Sequence, residues 1–226
     1  MAGLIVLVGG GEFRRNCQPM DRALLARLGK RPKVVILPTA AARENPSLAA
    51  ENGVRYFHHL GVPAEAAMVI DAETAKQPAL AAPVKNADLI YFTGGDPVYL
   101  LETMRDSLAW KAAQKVWQRG RMLAGSSAGA MILGEQMWAP GDGWRAGLGL
   151  VPHIAVIPHH ARLASRWNAA RMRGSLPQGV ILVGIDEATA LAGPPWQVLG
   201  PGEVAVYDGE HPSIFKDGQS VPLSLK

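Results

Sequence analysis

Short unbroken runs of Val, Ile and Leu recur along this chain, each followed by a polar or amphipathic stretch. Leu4–Val8 (LIVLV), Val34–Leu37 (VVIL), Leu89–Phe92 (LIYF) and Met122–Ala124 (MLA) carry almost no polar residue on either side of a pleat. A strand with one wet face alternates apolar and polar residues. A strand without alternation has both faces covered, which is the situation of a parallel sheet. Ala67–Ile70 reads as a further strand, and Asp21–Leu28, Pro46–Leu60 and Val98–Val116 carry helical spacing. The alternation predicts an α/β fold, a mostly parallel sheet flanked by helices.

After Asp142 the texture changes. Gly, Pro and Trp become frequent, and Val180–Ile185, Thr189–Leu191 and Glu203–Tyr207 read as shorter strands. The expectation is one domain over residues 1–226 with a β-rich C-terminal extension. A chain of 226 residues, 48 % hydrophobic, has ample material for one core. The net charge is +4 and the basic residues are spread out, so binding to nucleic acid or membrane is not expected. Cys17 is the one cysteine, which excludes a disulfide within the chain and suits a reducing, cytoplasmic setting. The start, MAGLIVLVGGGEF, lacks a basic leader and reads as a first strand rather than a signal peptide.

The chemistry-bearing stretch is Gly125-Ser126-Ser127-Ala128-Gly129. It fits G-x-S-x-G, in which a sharp strand-to-helix bend lifts a serine hydroxyl out of the fold. A Gly/Ser turn is the plain alternative. The position favours the bend: Ser127 follows an apolar run and precedes the helix-like Ala128–Gly134, and ligands of open parallel sheets sit at the carboxyl ends of strands.

A serine nucleophile needs a base, and the base needs a carboxylate. Of six histidines, His58 and His59 fall within a helix and read as solvated, His211 falls in a late turn, and His153 reads as structural. His159 and His160 follow the apolar run Ile154–Ile157 and Pro158, at another strand end. Two positions compete for the acid. Asp142, in APGDGWRAG, would give the order Ser…Asp…His. Glu187, in VGIDEATAL, would give Ser…His…Glu. An oxyanion hole needs two amide donors. Ala128 supplies one, and the Gly-Gly pair of YFTGGDP (91–97) lets backbone approach a ligand closely enough to supply the other.

Together FTGGDP (92–97), LAGSSAGA (123–130), GLGLVPHIAVIPHH (147–160) and VGIDEATAL (183–191) resemble the cyanophycinase and aspartyl dipeptidase (dipeptidase E) family of serine peptidases. PTAAA (38–42) and YFHHLGV (56–62) extend the resemblance, which runs from about Leu4 to Tyr207. It implies a class I glutamine amidotransferase-like fold, a flavodoxin-like three-layer sandwich, and a Ser-His-Glu triad. By that resemblance Ser127 is the nucleophile, His159 the base and Glu187 the acid, with oxyanion amides at Gly95 and Ala128. Ser126 fills a small position that keeps the bend tight. Gly94, Asp96 and His160 fall in the substrate region.

The chain departs from cyanophycinases at Pro97, where they carry Gln, and at Ile157-Pro158, where they carry Asp-Gln. The aspartyl dipeptidase branch is the nearer match. The implied activity is hydrolysis of short peptides without a metal or organic cofactor, the partner being a small peptide; a homodimer is compatible with it. An amidase, an esterase or a silent binding domain on the same scaffold are the alternatives. The basic stretch after His159, with Arg162 and Arg166 spaced i, i+4, is a candidate anchor for a substrate carboxylate.

Overall fold

The computed structural model describes residues 2–163, 169–209 and 211–223. Strands β1 (Ile5–Val8), β2 (Val34–Leu37), β3 (Ala64–Ala66), β4 (Leu89–Phe92) and β5 (Met122–Ser126) alternate with helices α1 (Gln18–Ala26), α2 (Pro46–His59), α3 (Pro78–Lys85), α4 (Pro97–Met104) and α5 (Leu108–Gln118). Helix α6 (Ala128–Leu133) follows, then β6 (Gly134–Ala139), β7 (Gly143–Ala146), β8 (Val151–Ile157), α7 (His160–Leu163) and α8 (Ala169–Gly174). Strands β9 (Ile181–Ile185), β10 (Ala190–Gly193), β11 (Gln197–Leu199), β12 (Val204–Tyr207) and β13 (Ser213–Phe215) complete the order.

The strands form two sheets. The first has the order β11-β10-β1-β5-β4-β2-β3. Its β1, β5, β4, β2 and β3 run parallel, and β10 and β11 add an antiparallel edge. The unbroken apolar runs have their reason here. In β1, Ile5 and Leu7 enter one core cluster while Val6 and Val8 enter another on the opposite face. The same split holds for Val35 and Leu37 against Val34 and Ile36, and for Ile90 and Phe92 against Leu89 and Tyr91. Alternate side chains point to opposite faces; α1 and α2 cover one face and α3 to α6 the other. Each fully buried aliphatic side chain contributes about 1.5–3 kcal/mol.

The second sheet, β13-β12-β9-β8-β6-β7, goes beyond the expected extension. Strands β6, β8 and β9 are parallel, flanked by antiparallel β7, β12 and β13. Helix α6, buried along its whole length, packs against strands of both sheets. The bend at Ser127, between β5 and α6, therefore sits where the sheets meet.

Several expected elements differ in place or extent; the helix expected at Asp21–Leu28, for instance, is Gln18–Ala26. The third strand is Ala64–Ala66, not Ala67–Ile70; Ala67 and Val69 are buried, but they follow the strand as core-filling loop. The helical stretch Val98–Val116 is two helices, broken at Asp106, whose φ of 60° no helix accepts; Ser107 then caps α5 by accepting from the Trp110 amide. The stretch Ala128–Gly134 ends at Leu133, and Gly134 begins β6, where a side chain would collide with the Ile154 carbonyl.

Candidate active site

Ser127 stands between β5 and α6 with φ 49° and ψ −108°, a conformation non-glycine residues seldom hold. Both glycines of G-x-S-x-G are sterically required. A Cβ on Gly125 would collide with the backbone of Gly129, and one on Gly129 with Phe92. The bend is pinned to β1 by the Ser127 amide, which donates to the Val8 carbonyl at 2.9 Å.

The structure brings His159 and Glu187 to this serine. His159 Nε2 lies 3.0 Å from Ser127 Oγ, and His159 Nδ1 lies 2.6 Å from Glu187 Oε1. An ionised carboxylate only accepts, so Nδ1–H donates to Glu187 and Nε2 is left to accept from the serine hydroxyl. The hydrogen bond from His159 holds the Glu187 carboxyl below the usual carboxylate range. His159 (φ 49°) and Ala188 (φ 56°), like Ser127, are non-glycine residues with positive φ, so local strain sits at Ser127 and His159 and next to Glu187.

The other candidate acid, Asp142, is not brought to His159. It lies in the turn between β6 and β7, where it pairs with Arg145 at 2.8 Å. APGDGWRAG is a hairpin of the second sheet, which the residue pattern did not reveal.

The glycine run after β1 organises these groups. The Gly9 carbonyl accepts from the His159 amide at 2.6 Å, the Gly10 carbonyl from the Ala188 amide at 2.8 Å, and the Gly9 amide donates to the Thr189 carbonyl. A Cβ on Gly9 would strike the Ile185 and Asp186 carbonyls, and one on Gly10 (φ 119°) would strike the His159 imidazole. Next in sequence, Glu12 reaches across. Its Oε1 accepts from the Gly94 amide and its Oε2 from the Ser126 hydroxyl, both at 2.7 Å. Ser126, fully buried, is therefore more than a small spacer: its hydroxyl has a specific partner. Sequence reasoning used GGGEF only to reject a leader. The usable signal was three glycines and a carboxylate at the carboxyl end of a buried strand.

Ser127 and His159 open on a cleft of about 1030 Å³. Glu12, Arg14, Gly94 and Gly95 line it, as do Asn45 just before α2 and Asn52, Arg55 and Tyr56 of α2. His59, read as a solvated helix residue, also lines it. Gly95 (φ 139°) has no room for a side chain, because a Cβ would collide with the Ala40 carbonyl.

Other expected substrate residues are placed elsewhere. Asp96 caps α4, accepting from the Val98 and Tyr99 amides, and pairs with Arg43. His160 turns into the second sheet, where Nε2 meets the Tyr207 hydroxyl at 2.7 Å and the ring fills the space beside Gly184. Burial lowers its pKa, with Asp186 opposing. Arg162 sits 3.4 Å from Glu187, on the acid rather than in the cleft. Arg166 lies outside the described residues. Among the described residues no cluster of His, Cys, Asp or Glu is arranged to hold a metal ion, and no helix is long and apolar enough to cross a membrane.

A family model for Peptidase family S51 matches residues 5–193. The chain is 25 % identical over 221 residues to a cyanophycinase of Trichormus variabilis, covering 90 % of this chain and 73 % of that one. It is 28 % identical over 223 residues to a cyanophycinase of Synechococcus elongatus, covering 91 % and 68 %. Among solved structures, a peptidase from an acI-B1 Actinobacterium matches with a TM-score of 0.88 and 34 % identity over 98 % of this chain and 97 % of that one. A protein assigned to peptidase E from Listeria monocytogenes EGD-e, 19 % identical with a TM-score of 0.64, covers 92 % and 98 % and shares the fold.

Proposed function

The chain belongs to peptidase family S51 and is a serine-type peptidase, and from that premise we propose that it hydrolyses short peptides through Ser127, His159 and Glu187. His159 Nε2 takes the proton of Ser127 Oγ as the oxygen attacks the scissile carbonyl. Glu187 holds the tautomer and offsets the positive charge that develops on the imidazole. The Gly95 and Ala128 amides receive the oxyanion. His159 then protonates the leaving amine, and a water activated by the same imidazole hydrolyses the acyl-enzyme. The observation that carries this reading is the unbroken chain of two hydrogen bonds from Ser127 through His159 to Glu187, at 3.0 and 2.6 Å.

The substrate class is a short peptide with a free carboxylate near the scissile bond, as in the aspartyl dipeptidase branch. The cleft's own cations support this. Arg14 and Arg55 line it, whereas Arg162 stands beside Glu187. A guanidinium binds a carboxylate in two parallel hydrogen bonds.

The deciding experiment is digestion of a dipeptide library by the wild type and by Ser127→Ala, with fluorophosphonate labelling alongside. Turnover and stoichiometric labelling that both vanish in the variant support the reading. Turnover that survives in Ser127→Ala and vanishes in Ser126→Ala overturns it.

A further inference from the structure

Glu12 is an acid beside the nucleophile that the proton-transfer chain does not use. It comes from the loop after β1. It grips Gly94, from the loop after β4, and Ser126, the last residue of β5. In the sheet these strands stand in the order β1-β5-β4, so one carboxylate ties together the ends of three neighbouring parallel strands. The two groups it holds are chain neighbours of the two that matter most. Gly94 precedes Gly95, whose amide faces the oxyanion in the mechanism above, and Ser126 precedes Ser127.

We infer that Glu12 is a positioning residue which sets the distance between the nucleophile elbow and the Gly94-Gly95 turn by hydrogen-bonding both. The inference rests on the reading of Ser127 as nucleophile and Gly95 as oxyanion donor. The physical argument is about stiffness. Ser127 is held at a strained φ and Gly95 at a φ open mainly to glycine. Backbone in sparsely populated conformations relaxes unless its surroundings over-determine it. On the Gly94 side, the amide that precedes the oxyanion donor is held by a side chain rather than by another strand. Two short hydrogen bonds from one side chain suit a tether that must hold two loops to within about half an ångström. The site is also crowded enough to transmit a shift: a Cβ on Gly94 would lie 3.1 Å from Glu12 Oε1 and 3.3 Å from Ser127 Cβ.

The role makes different demands from recognition of a substrate cation. A tether needs hydrogen bonds; a cation receptor needs charge. Glutamine keeps the shape, accepting from the Gly94 amide through Oε1 and donating to Ser126 Oγ through Nε2, but it loses the charge.

The experiment measures the concentration dependence of fluorophosphonate labelling, which separates the limiting rate from the half-saturating concentration, together with kcat and KM on the best dipeptide of the library. The variants are Glu12→Ala, Glu12→Gln, Ser126→Ala and, as control, Ser127→Ala. Glu12→Ala is expected to lower the limiting rate and kcat by tenfold to about a hundredfold, the scale of a misplaced catalytic group, with half-saturation and KM within threefold of wild type. Glu12→Gln is expected to recover to within about threefold. Ser126→Ala, which removes one of the two tethers, is expected to fall between them. If Glu12→Ala does not fold, the other two variants decide.

Wild-type rates in Ser126→Ala and Glu12→Ala overturn the inference. So does a Glu12→Gln variant as impaired as Glu12→Ala with a raised KM, because charge would then be what matters. Ser127→Ala separates the layers. If it still labels and turns over, the underlying reading of the nucleophile has failed; if it is silent while Glu12→Ala is unimpaired, only the positioning role has failed.

Discussion

The imidazole of His159 occupies the space that a side chain on Gly10 would need. That imidazole is thus seated directly on the backbone of the loop after β1, and the same loop receives the His159 and Ala188 amides. Replacing Gly10 by Ala adds one methyl where the ring is and forces L-chirality on a φ of 119°. The expected result is a loss of kcat/KM of about a hundredfold or more, as for other displacements of a catalytic group, with a stability loss of about 1–3 kcal/mol from backbone strain. Steady-state kinetics and thermal unfolding of Gly10→Ala check it. A variant with wild-type kinetics would show that the imidazole moves freely without loss.

The two carboxylates weighed as triad acid make opposite predictions. Glu187→Gln removes the acceptor that fixes the His159 tautomer, and losses on the order of 10⁴ in kcat follow for such a group in other triads. Asp142→Asn removes only one of the two carboxylate partners of Arg145, in an exposed pair of a kind worth about 0–1 kcal/mol. It should leave kcat within about twofold. Comparable losses in the two variants would sink the assignment.

Stability should fall as pH rises through the range set by Asp21. This residue of α1 is 3 % exposed and accepts from the Tyr56 hydroxyl at 2.6 Å. Burial pushes its carboxyl up to about 7, with the charge of Glu12 adding to the effect. In the unfolded chain the group titrates near ~3.9. Between these values the folded state holds the proton and the unfolded state does not, so unfolding gains as pH rises. The contribution is fully present below about pH 4 and lost by about pH 7, and its upper bound is about 4 kcal/mol at 1.36 kcal/mol per pH unit. Asp21→Asn keeps an acceptor for Tyr56 and removes the titration. Thermal unfolding at pH 5 and pH 8 should show a smaller drop for the variant than for the wild type; equal drops would exclude Asp21 as the source.

For the substrate carboxylate, Arg55→Ala should raise KM about tenfold, or ~1.4 kcal/mol, on short peptides with a free C-terminus or an N-terminal aspartate. Matched amidated or Asn-containing peptides should change less than threefold. Arg162→Ala, which removes a partner of Glu187, should act on kcat more than on KM. Raised KM confined to Arg162→Ala would return the anchor to the segment after His159.

Much of the first sheet was legible in the residues themselves. Four of its five parallel strands are unbroken apolar runs, because burial on both faces leaves a compositional mark that needs no knowledge of neighbours. The bend around Ser127 was legible for a similar reason: Gly125 and Gly129 are demanded by contacts within a few residues or with the adjacent strand. The third strand was misplaced because Ala67 and Val69 are as buried as strand residues while running as loop, and burial alone does not distinguish the two. The break at Asp106 passed unseen because the apolar spacing continues across it.

What only the tertiary structure decided are relationships between distant parts of the chain. Glu187 rather than Asp142 meets His159 because β8 and β9 lie side by side in a second sheet, whose pairing no local pattern encodes. His160 faces Tyr207 while His159 faces Ser127, although the two are consecutive in sequence. Glu12 reaches Gly94 and Ser126 across separations of 82 and 114 residues. Hydrophobic periodicity and turn chemistry act over a few residues, so they specify elements. Hydrogen bonds between strand-end loops exist only after the sheets have assembled, and it is these that bring the site together.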